Sequence, residues 1–290
     1  MAEHGHAPKG RLLRWLGARG GASWGTEPAD YDPQAVAETL DGAGRLFGAG
    51  RYFPLAFDGW EHVPDAPAMI VMNHSGGTTI PDMWGFLAGW YRHFGTSRPI
   101  HPLGHEMLFA SDEVGRYMAR RGVMRASPRH CVHALRDAGR DVLIAPGGDR
   151  EVWRPWAQRY DVVFDGRTGY ARMALSCGVP IVPVAHVGAH HSLVVLSDGR
   201  RIARTLGLQH TFRAEVFPVH LSLPWGLAVG PWPHLPLPVT LRYRIGAPVG
   251  ERATAPEVPD DEAVRRTDEA VRARIQAMLH QFRDEGHALR

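Results

Sequence analysis

Short apolar segments recur along the chain and are separated by segments with helical periodicity. Six of them have the length and pattern of strands: Tyr52–Gly59, Ala68–Met72, Pro99–Leu103, Asp141–Ala145, Val179–Val184 and Val239–Ile245. Helices are predicted from Asp32, after Asp82, at Glu113–Arg121, from Ser127, at Arg167–Cys177 and at Glu262–Glu285. Strands that alternate with helices indicate an α/β fold, here a single domain whose central sheet is mainly parallel or mixed and is flanked by helices.

Proline sets two further expectations. Pro180 and Pro183 predict that their strand lies at an end or an edge of the sheet, because proline cannot donate to a ladder. The segment 217–238 is dense in proline, so no regular structure is expected there. Its part between Trp225 and Trp232 either dips into lipid or covers the core, and the pattern leaves both alternatives open.

Residues 1–31 are predicted to form a loose N-terminal arm, and residues 32–290 the remaining domain with its C-terminal helix. Apolar residues around Trp15 alternate with Arg11 and Arg14, which suits either a bilayer interface or a frayed terminus. No apolar run approaches the roughly 20 residues of a membrane-spanning helix, and none fits a signal peptide. Any contact with a membrane is therefore expected to be peripheral.

Charge and cysteine content narrow the classes of function. The net charge of +3 over 290 residues is too small to predict a nucleic-acid partner. Lys9 is the single lysine, so nearly all positive charge is arginine, which suits phosphate and anionic headgroups, although a compositional bias of the genome explains it equally well. Cys131 and Cys177 lie in apolar helical patterns and predict buried free thiols rather than a disulfide or a zinc site.

The stretch that ends the Ala68–Met72 strand holds the first candidate chemistry. His74 follows the strand directly, in a loop of small residues, and Asp82 lies just downstream. A neutral imidazole accepts a proton from an attacking alcohol, and a carboxylate fixes its tautomer. The alternative is a loop histidine beside an aspartate that merely favours a helix N-terminus.

A second candidate loop follows the Asp141–Ala145 strand. Gly147 and Gly148 expose backbone N–H groups that suit an anion or a developing oxyanion, and Arg150 can bind a phosphate or a carboxylate. An ordinary turn after a strand would have the same composition. Trp153-Arg154-Pro155-Trp156 forms either a wall of a cleft or ordinary aromatic packing.

Taken in order, these motifs resemble a known family. Asn73-His74-Ser75-Gly76-Gly77 with Asp82, then Pro146-Gly147-Gly148-Asp149-Arg150-Glu151, then Val179–Val184 resemble the lysophospholipid acyltransferase superfamily. Within it the chain is most similar to the mono- and diacylglycerol acyltransferase-like, phytyl ester synthase-like branch. The resemblance extends over about Pro67 to Pro248 and implies a glycerol-phosphate-acyltransferase-like fold.

The resemblance implies an acyltransferase that works without a cofactor or a metal. His74 would be the general base and Asp82 its orienting carboxylate. A lipid hydroxyl would attack the thioester of acyl-CoA or acyl carrier protein directly, at the inner face of a membrane in the cytoplasm. The substrate-binding residues implied are Asn73, Ser75, Gly76, Gly77, Gly147, Gly148, Arg150 and Pro183.

Two departures from the superfamily's motifs bear on this expectation. The chain has His74-x7-Asp82 instead of the usual His-x4-Asp. It also has Gly-Gly-Asp-Arg at 147–150 in place of Glu-Gly-Thr-Arg, which favours a neutral acceptor such as a mono- or diacylglycerol or a long-chain alcohol.

Features of the sequence also suit two other classes of function and two other kinds of site. A serine esterase is suggested by His-Ser-Gly-Gly, although the chain has no Gly-x-Ser-x-Gly elbow. A non-catalytic lipid-binding protein of the same fold is the third class. His186, His190 and His191 invite a metal site, but without a matching carboxylate pattern they are predicted to be cleft or loop histidines. The arginines between Arg116 and Arg129 suit either phosphates or a solvated helix face.

Overall fold

The computed structural model describes residues 24–208, 215–250 and 259–286. The strands are β1 (Leu55–Asp58), β2 (Met69–Met72), β3 (Ile100–Gly104), β4 (Met124–Arg125), β5 (Asp141–Ile144), β6 (Ile181–Val187), β7 (Val194–Ser197), β8 (Val219–Ser222), β9 (Gly226–Val229) and β10 (Leu241–Ile245). The main sheet has seven strands in the order β1-β10-β6-β2-β5-β3-β4, and a small sheet has the order β7-β8-β9. Only the β10–β6 pair of the main sheet is antiparallel.

Helices cover both faces of the main sheet. They are α1 (Pro33–Ala43), α2 (Pro81–Phe94), α3 (Asp112–Ala119), α4 (Pro128–Val132), α5 (Gly148–Val152), α6 (Gly169–Cys177), α7 (Arg200–Thr205) and α8 (Asp261–Asp284). One buried cluster joins α1 and α2 to the sheet, and a second joins α4, α6 and α8 to its opposite face. The prediction of a single α/β domain with a mainly parallel mixed sheet is confirmed.

β2 lies in the middle of the main sheet and is buried on both faces. Ile70 and Met72 point into the α1–α2 cluster, while Met69 and Val71 point into the opposite one. Because β2 runs parallel to β5 and β6, the loops that follow these three strands lie at the same edge of the sheet. That edge is where α/β proteins usually bind ligands.

The prediction that prolines place the Val179–Val184 strand at an end or an edge is wrong. β6 is an inner strand that pairs with both β2 and β10. Pro180 precedes it, and its carbonyl accepts a hydrogen bond from Met69 N. Pro183 is tolerated because its carbonyl bonds to Gly246 N, one residue beyond β10, so the missing N–H falls where that ladder ends.

The prediction that 217–238 lacks regular structure is also wrong. β8 and β9 form a hairpin there, and β7 completes a small antiparallel sheet. The prolines lie between the strands rather than within them: Pro218 precedes β8, Pro224 lies in the turn, and Pro231 follows β9. The density of prolines therefore marked the turns of a hairpin.

Three smaller features concern the cysteines, the helices and the N-terminal arm. Cys131 and Cys177 are free cysteines; Cys131 is buried as predicted, whereas Cys177 is only half-buried. Across the described ranges, no helix combines the length and the apolar content needed to cross a membrane. Trp24 and Tyr31 contact the domain, through hydrogen bonds to Asp112 and to the carbonyl of Thr96. The part of the predicted arm around Trp15 lies outside the described residues.

Candidate active site

Asn73 joins the end of β2 to the neighbouring strand. Its side-chain amide donates to the carbonyl of His186 at 2.9 Å and accepts from His186 N at 2.7 Å. Asn73 is fully buried and both ends of its amide are occupied. Its side chain secures the backbone from which His74 projects, and its predicted role in binding substrate remains a prediction.

The loop from Ser75 to Pro81 folds tightly enough to bring Asp82 back to His74. Gly76 and Gly77 have positive φ angles of 100° and 63°, and a 3-10 turn covers Gly77–Thr79. Ile80 has φ 40°, an uncommon conformation for a β-branched residue, directly before Pro81 begins α2. The loop thus closes within seven residues.

His74 and Asp82 form a direct hydrogen-bonded pair. His74 Nδ1 lies 2.6 Å from Asp82 Oδ2, which also accepts from Ser75 N at 2.8 Å. The His74 side chain is 12% exposed, whereas that of Asp82 is inaccessible. Since Nδ1 is taken by Asp82, Nε2 is the nitrogen of His74 left for chemistry. The predicted contact between these two residues is confirmed, and their catalytic role remains a prediction.

The electrostatics of Asp82 favour its ionised form. Burial alone would raise the pKa of Asp82, but the charge and hydrogen bond of His74, helped by Ser75 N–H, lower that pKa below its usual value. Its position in the first turn of α2 also suits a negative charge. A buried carboxylate of this kind stabilises an imidazolium beside it.

Two buried charged residues that the sequence analysis did not select hold the backbone of His74. Glu151 Oε2 accepts from His74 N at 3.1 Å, and Arg154 Nη1 donates to the carbonyl of His74 at 2.5 Å. Glu151 also accepts from Val163 N at 3.1 Å, and Arg154 donates to the carbonyls of Gln158 and Arg159. His74 is therefore fixed on both sides through its main chain.

Burial dominates the electrostatics of this Glu–Arg pair. It raises the pKa of Glu151 to about 7, although Arg154 and the N–H groups of Val163 and His74 act in the opposite direction. Burial likewise lowers the pKa of Arg154, against the attraction of Glu151. Neither side chain reaches solvent, so both act as positioning groups for the loop.

Gly147 permits the close approach of Glu151, and Gly148 permits that of Arg167. The predicted loop is in part helical, because α5 begins at Gly148. A Cβ at Gly147 would lie 2.4 Å from Glu151 Oε2 and 2.5 Å from the carbonyl of Val163. Gly148 has φ 52°, and a Cβ there would lie 2.7 Å from Arg167 Nη1. These contacts give both glycines a structural reason, and their predicted contact with substrate remains a prediction.

Arg150 is occupied by carboxylates. Its guanidinium forms ion pairs with Asp165 and, at 3.8 Å, with Glu215. Its predicted role in binding a headgroup remains a prediction, since any anion would compete with these two partners. Pro183 is buried within β6, and its predicted role in binding substrate remains a prediction.

Gly77, in the loop after His74, faces two aromatic rings. A Cβ at Gly77 would lie 2.7 Å from His234 Cε1 and 3.0 Å from Trp153 Cη2. His234 also lies 3.3 Å from Thr79 Oγ1 through its Nε2. Trp153 thus packs beside the candidate site, which leaves both of its predicted alternatives open.

His186 and His190, two of the three histidines that invited a metal site, are buried and favour their neutral form. Burial lowers the pKa of His186 to about 4 and lowers that of His190 well below its usual value. His190 is buried with no hydrogen-bond partner for either ring nitrogen among the described residues. In that same part of the chain, no group of three or more His, Cys, Asp or Glu residues is arranged to hold a metal ion.

Comparison with known proteins adds the family. The model of the Acyltransferase family matches residues 54–187, which include His74, Asp82 and Glu151. An uncharacterized protein from Mycobacterium tuberculosis is 28% identical over 80% of this chain and 62% of its own length. "DGAT1/2-independent enzyme synthesizing storage lipids" from Gallus gallus is 26% identical over 83% of this chain and 64% of its own length, and its Homo sapiens counterpart is 27% identical over 75% and 59%.

Among solved structures, the 1-acyl-sn-glycerophosphate acyltransferase PlsC from Thermotoga maritima matches 78% of this chain and 73% of its own, with 17% identity and a TM-score of 0.45. The chain spans less than two thirds of the length of the curated relatives named above. The superfamily predicted from the ordered motifs is confirmed by the family match. The chain thus carries an acyltransferase-family domain over residues 54–187.

Proposed function

We propose that the chain transfers a fatty acyl group from a thioester donor, acyl-CoA or acyl carrier protein, to the hydroxyl group of a lipid. The observation that carries the proposal is the pair formed by His74 and the buried Asp82, with Nδ1 and Oδ2 2.6 Å apart. Membership of the acyltransferase family supports the reaction class. The relatives from Gallus gallus and Homo sapiens, which are named for the synthesis of storage lipids, support a lipid acceptor.

In this mechanism His74 acts as a general base. Its Nε2 accepts the proton of the acceptor hydroxyl while the hydroxyl oxygen attacks the thioester carbonyl carbon. Asp82 keeps the proton of His74 on Nδ1 and stabilises the imidazolium that forms. The C–S bond then breaks, and the imidazolium returns its proton to the departing thiolate. An ester and a free thiol result, with no covalent acyl-enzyme.

The developing oxyanion needs donors, and the loop after His74 supplies candidates. The N–H groups of Gly76 and Gly77 make no hydrogen bond to any described residue. Both glycines have positive φ angles, a conformation found in backbone nests that bind anions. We assign them the stabilisation of the negative charge on the thioester oxygen.

The acceptor is proposed to be a neutral alcohol such as a mono- or diacylglycerol or a long-chain alcohol. Arg150 is already paired with Asp165 and Glu215, so it is poorly available to a phosphate on the acceptor. A monoanionic or dianionic headgroup would have to displace these carboxylates. We further propose that the reaction takes place at the inner face of a membrane in the cytoplasm.

A serine esterase is the competing reaction class. A catalytic serine would have to lie within hydrogen-bonding reach of His74, and no serine hydroxyl among the described residues bonds to it. The neighbouring Ser75 contributes its backbone N–H to Asp82. This arrangement favours transfer to an external hydroxyl.

The test is a thiol-release assay with acyl-CoAs of several chain lengths against mono- and diacylglycerol, lysophosphatidate and long-chain alcohols. We expect release that depends on a neutral acceptor and that His74→Ala abolishes while the melting temperature stays close to that of the wild type. The matched control is His133→Ala, an exposed histidine that is likewise paired with an aspartate. Undiminished turnover by His74→Ala would refute the mechanism.

A further inference from the structure

The small sheet is apolar on both of its faces. Its inner face buries Val195, His220 and Ala228. Its outer face carries Leu221 and Leu227, which are paired across β8 and β9, and Leu227 is 63% exposed. Antiparallel sheets that face water normally alternate apolar and polar residues, so this outer face is unusual for a solvated surface.

Exposed apolar residues continue from the sheet into the loops beside it. Trp225 and Trp232 are 53% and 55% exposed, and their rings lie 6.2 Å apart. Their indole N–H groups donate within the protein, to the carbonyls of Pro233 at 2.6 Å and Val229 at 2.9 Å. Both rings can therefore leave water without stranding an unpaired donor.

Charge is arranged around this surface rather than on it. The 26 residues from Val216 to Leu241 contain no Asp, Glu, Lys or Arg. Directly after β7 in the chain, α7 exposes Arg201 and Arg204, whose side chains form no ion pair with any described residue. An apolar face with tryptophans and a cationic rim matches the layered chemistry of an anionic bilayer surface.

The same segment touches the loop that carries the candidate chemistry. Thr78 Oγ1 donates to the carbonyls of Pro231 and Trp232 at 3.2 and 3.4 Å. His234, two residues beyond Trp232, contacts Thr79. A partner bound at the small sheet would thus lie next to the loop from His74 to Asp82.

We propose that the outer face of β7–β9, with Trp225 and Trp232, inserts into the interface of an anionic bilayer. The proposal deepens the proposed function, on which it rests, by naming the surface through which a membrane-dissolved acceptor is presented to His74. Leu221 and Leu227 enter the acyl region, and Arg201 and Arg204 contact lipid phosphates.

Flotation of the whole chain with vesicles tests the proposal. The vesicles contain phosphatidylcholine alone or mixed with phosphatidylglycerol. We expect Leu221→Ser and Leu227→Ser each to lower the partition coefficient about tenfold on both vesicles, since each leucine leaves an apolar phase. Arg201→Gln and Arg204→Gln should each lower it about fivefold on the mixed vesicles only. The matched control is Met107→Ser, which removes a residue 73% exposed in the turn after β3 and should change nothing.

Two outcomes would overturn the proposal. One is unchanged flotation of the Leu221→Ser/Leu227→Ser double variant. The other is a wild-type chain that does not float but self-associates in light scattering, with the double variant monomeric, which would assign the face to a second copy. All the substituted side chains are exposed, so melting temperatures should stay constant and report any loss of fold.

A parallel thiol-release assay with short-chain, water-soluble substrates separates the two proposals. If the double variant keeps this activity but loses turnover on vesicle-embedded acceptor, both stand. Flotation without thiol release from any donor would refute the proposed function and leave the docking surface supported. Thiol release together with unchanged flotation of the double variant would support the proposed function and refute the docking surface.

Discussion

Asp82→Asn is the most informative single substitution in this chain. Asp82 Oδ2 accepts hydrogen bonds from His74 Nδ1 and Ser75 N, whereas Oδ1 is buried without a hydrogen-bond partner among the described residues. An asparagine can therefore place its oxygen at the position of Oδ2 and its amide group in the unpartnered position. The substitution removes the charge and preserves the hydrogen bonds to the loop.

The expected loss follows from the distance between the two groups. A unit charge about 3 Å from the imidazolium, at an effective dielectric constant of about 20, stabilises it by roughly 5 kcal/mol. Each 1.4 kcal/mol corresponds to about a factor of ten in rate, so this sets an upper limit near 10⁴-fold. Because the amide retains the hydrogen bond, we expect kcat to fall by about 10²- to 10⁴-fold.

Thiol release under saturating acyl donor measures this loss. The matched control is Asp141→Asn, which alters another buried aspartate. Asp141 is the first residue of β5, and its Oδ2 lies 2.8 Å from Arg98 Nε. We expect the control to lower the melting temperature because Arg98 loses its counter-charge, while kcat per folded molecule is kept. If Asp82→Asn turns over as fast as Asp141→Asn, the charge of Asp82 has no part in catalysis and the His–Asp mechanism fails.

The remaining predictions concern buried groups in the core. Since burial raises the pKa of Glu151 to about 7, the folded chain binds a proton between pH 4.5 and 7 that the unfolded chain releases. Its contribution to the free energy of unfolding falls by about 3 kcal/mol as pH rises through that window, and Glu151→Gln should abolish this change in urea melts. Burial lowers the pKa of His101 to about 4, so His101 has the opposite effect. Its contribution to the free energy of unfolding is fully present above pH 6.5 and falls by about 3 kcal/mol as pH falls to 4. His101→Gln should remove this change. Superimposable pH profiles of variant and wild type would contradict either case. Gly147→Ala should lower both the melting temperature and kcat, because its Cβ would meet Glu151, whereas Gly169→Ala, with nothing within 4 Å, should be neutral. If the two alanine variants have the same melting temperature and kcat, Glu151 can move to accommodate a Cβ at residue 147, which would contradict the prediction.

The local sequence pattern predicted most strands of the main sheet, because these strands are short, apolar and separated by clear helix starts. Asp32, Ser111 and Ser127 cap the helices that the sequence predicted near them. The two wrong predictions, on the Val179–Val184 strand and on the segment 217–238, have one cause. The effect of a proline depends on its register in the strand ladder and not on its presence alone. Pro183 tolerates an inner strand because only one donor is missing at the end of a ladder. Strand pairing is long-range, so no local window reveals that register.

At the site, the sequence identified the residues with reactive groups and missed the groups that hold them. His74 and Asp82 stand out because a histidine and an aspartate flank a glycine loop. Glu151 was visible only as the last letter of a motif, and Arg154 as part of an aromatic stretch. Both side chains are buried, Glu151 with 0% and Arg154 with 1% exposure, and both bond to the backbone of a residue about 80 positions earlier. Composition encodes neither property.

Because Glu151 and Arg154 grip the main chain of His74, the position of this residue does not depend on its own side chain. A His74→Gly chain should keep its loop in place and open a space shaped like an imidazole beside Asp82. Free imidazole in the buffer should enter that space, bond to Asp82 and restore part of the thiol release, with saturation at high concentration. The proposed general base would then be replaceable, because the backbone around it leaves a space that accepts a small-molecule substitute.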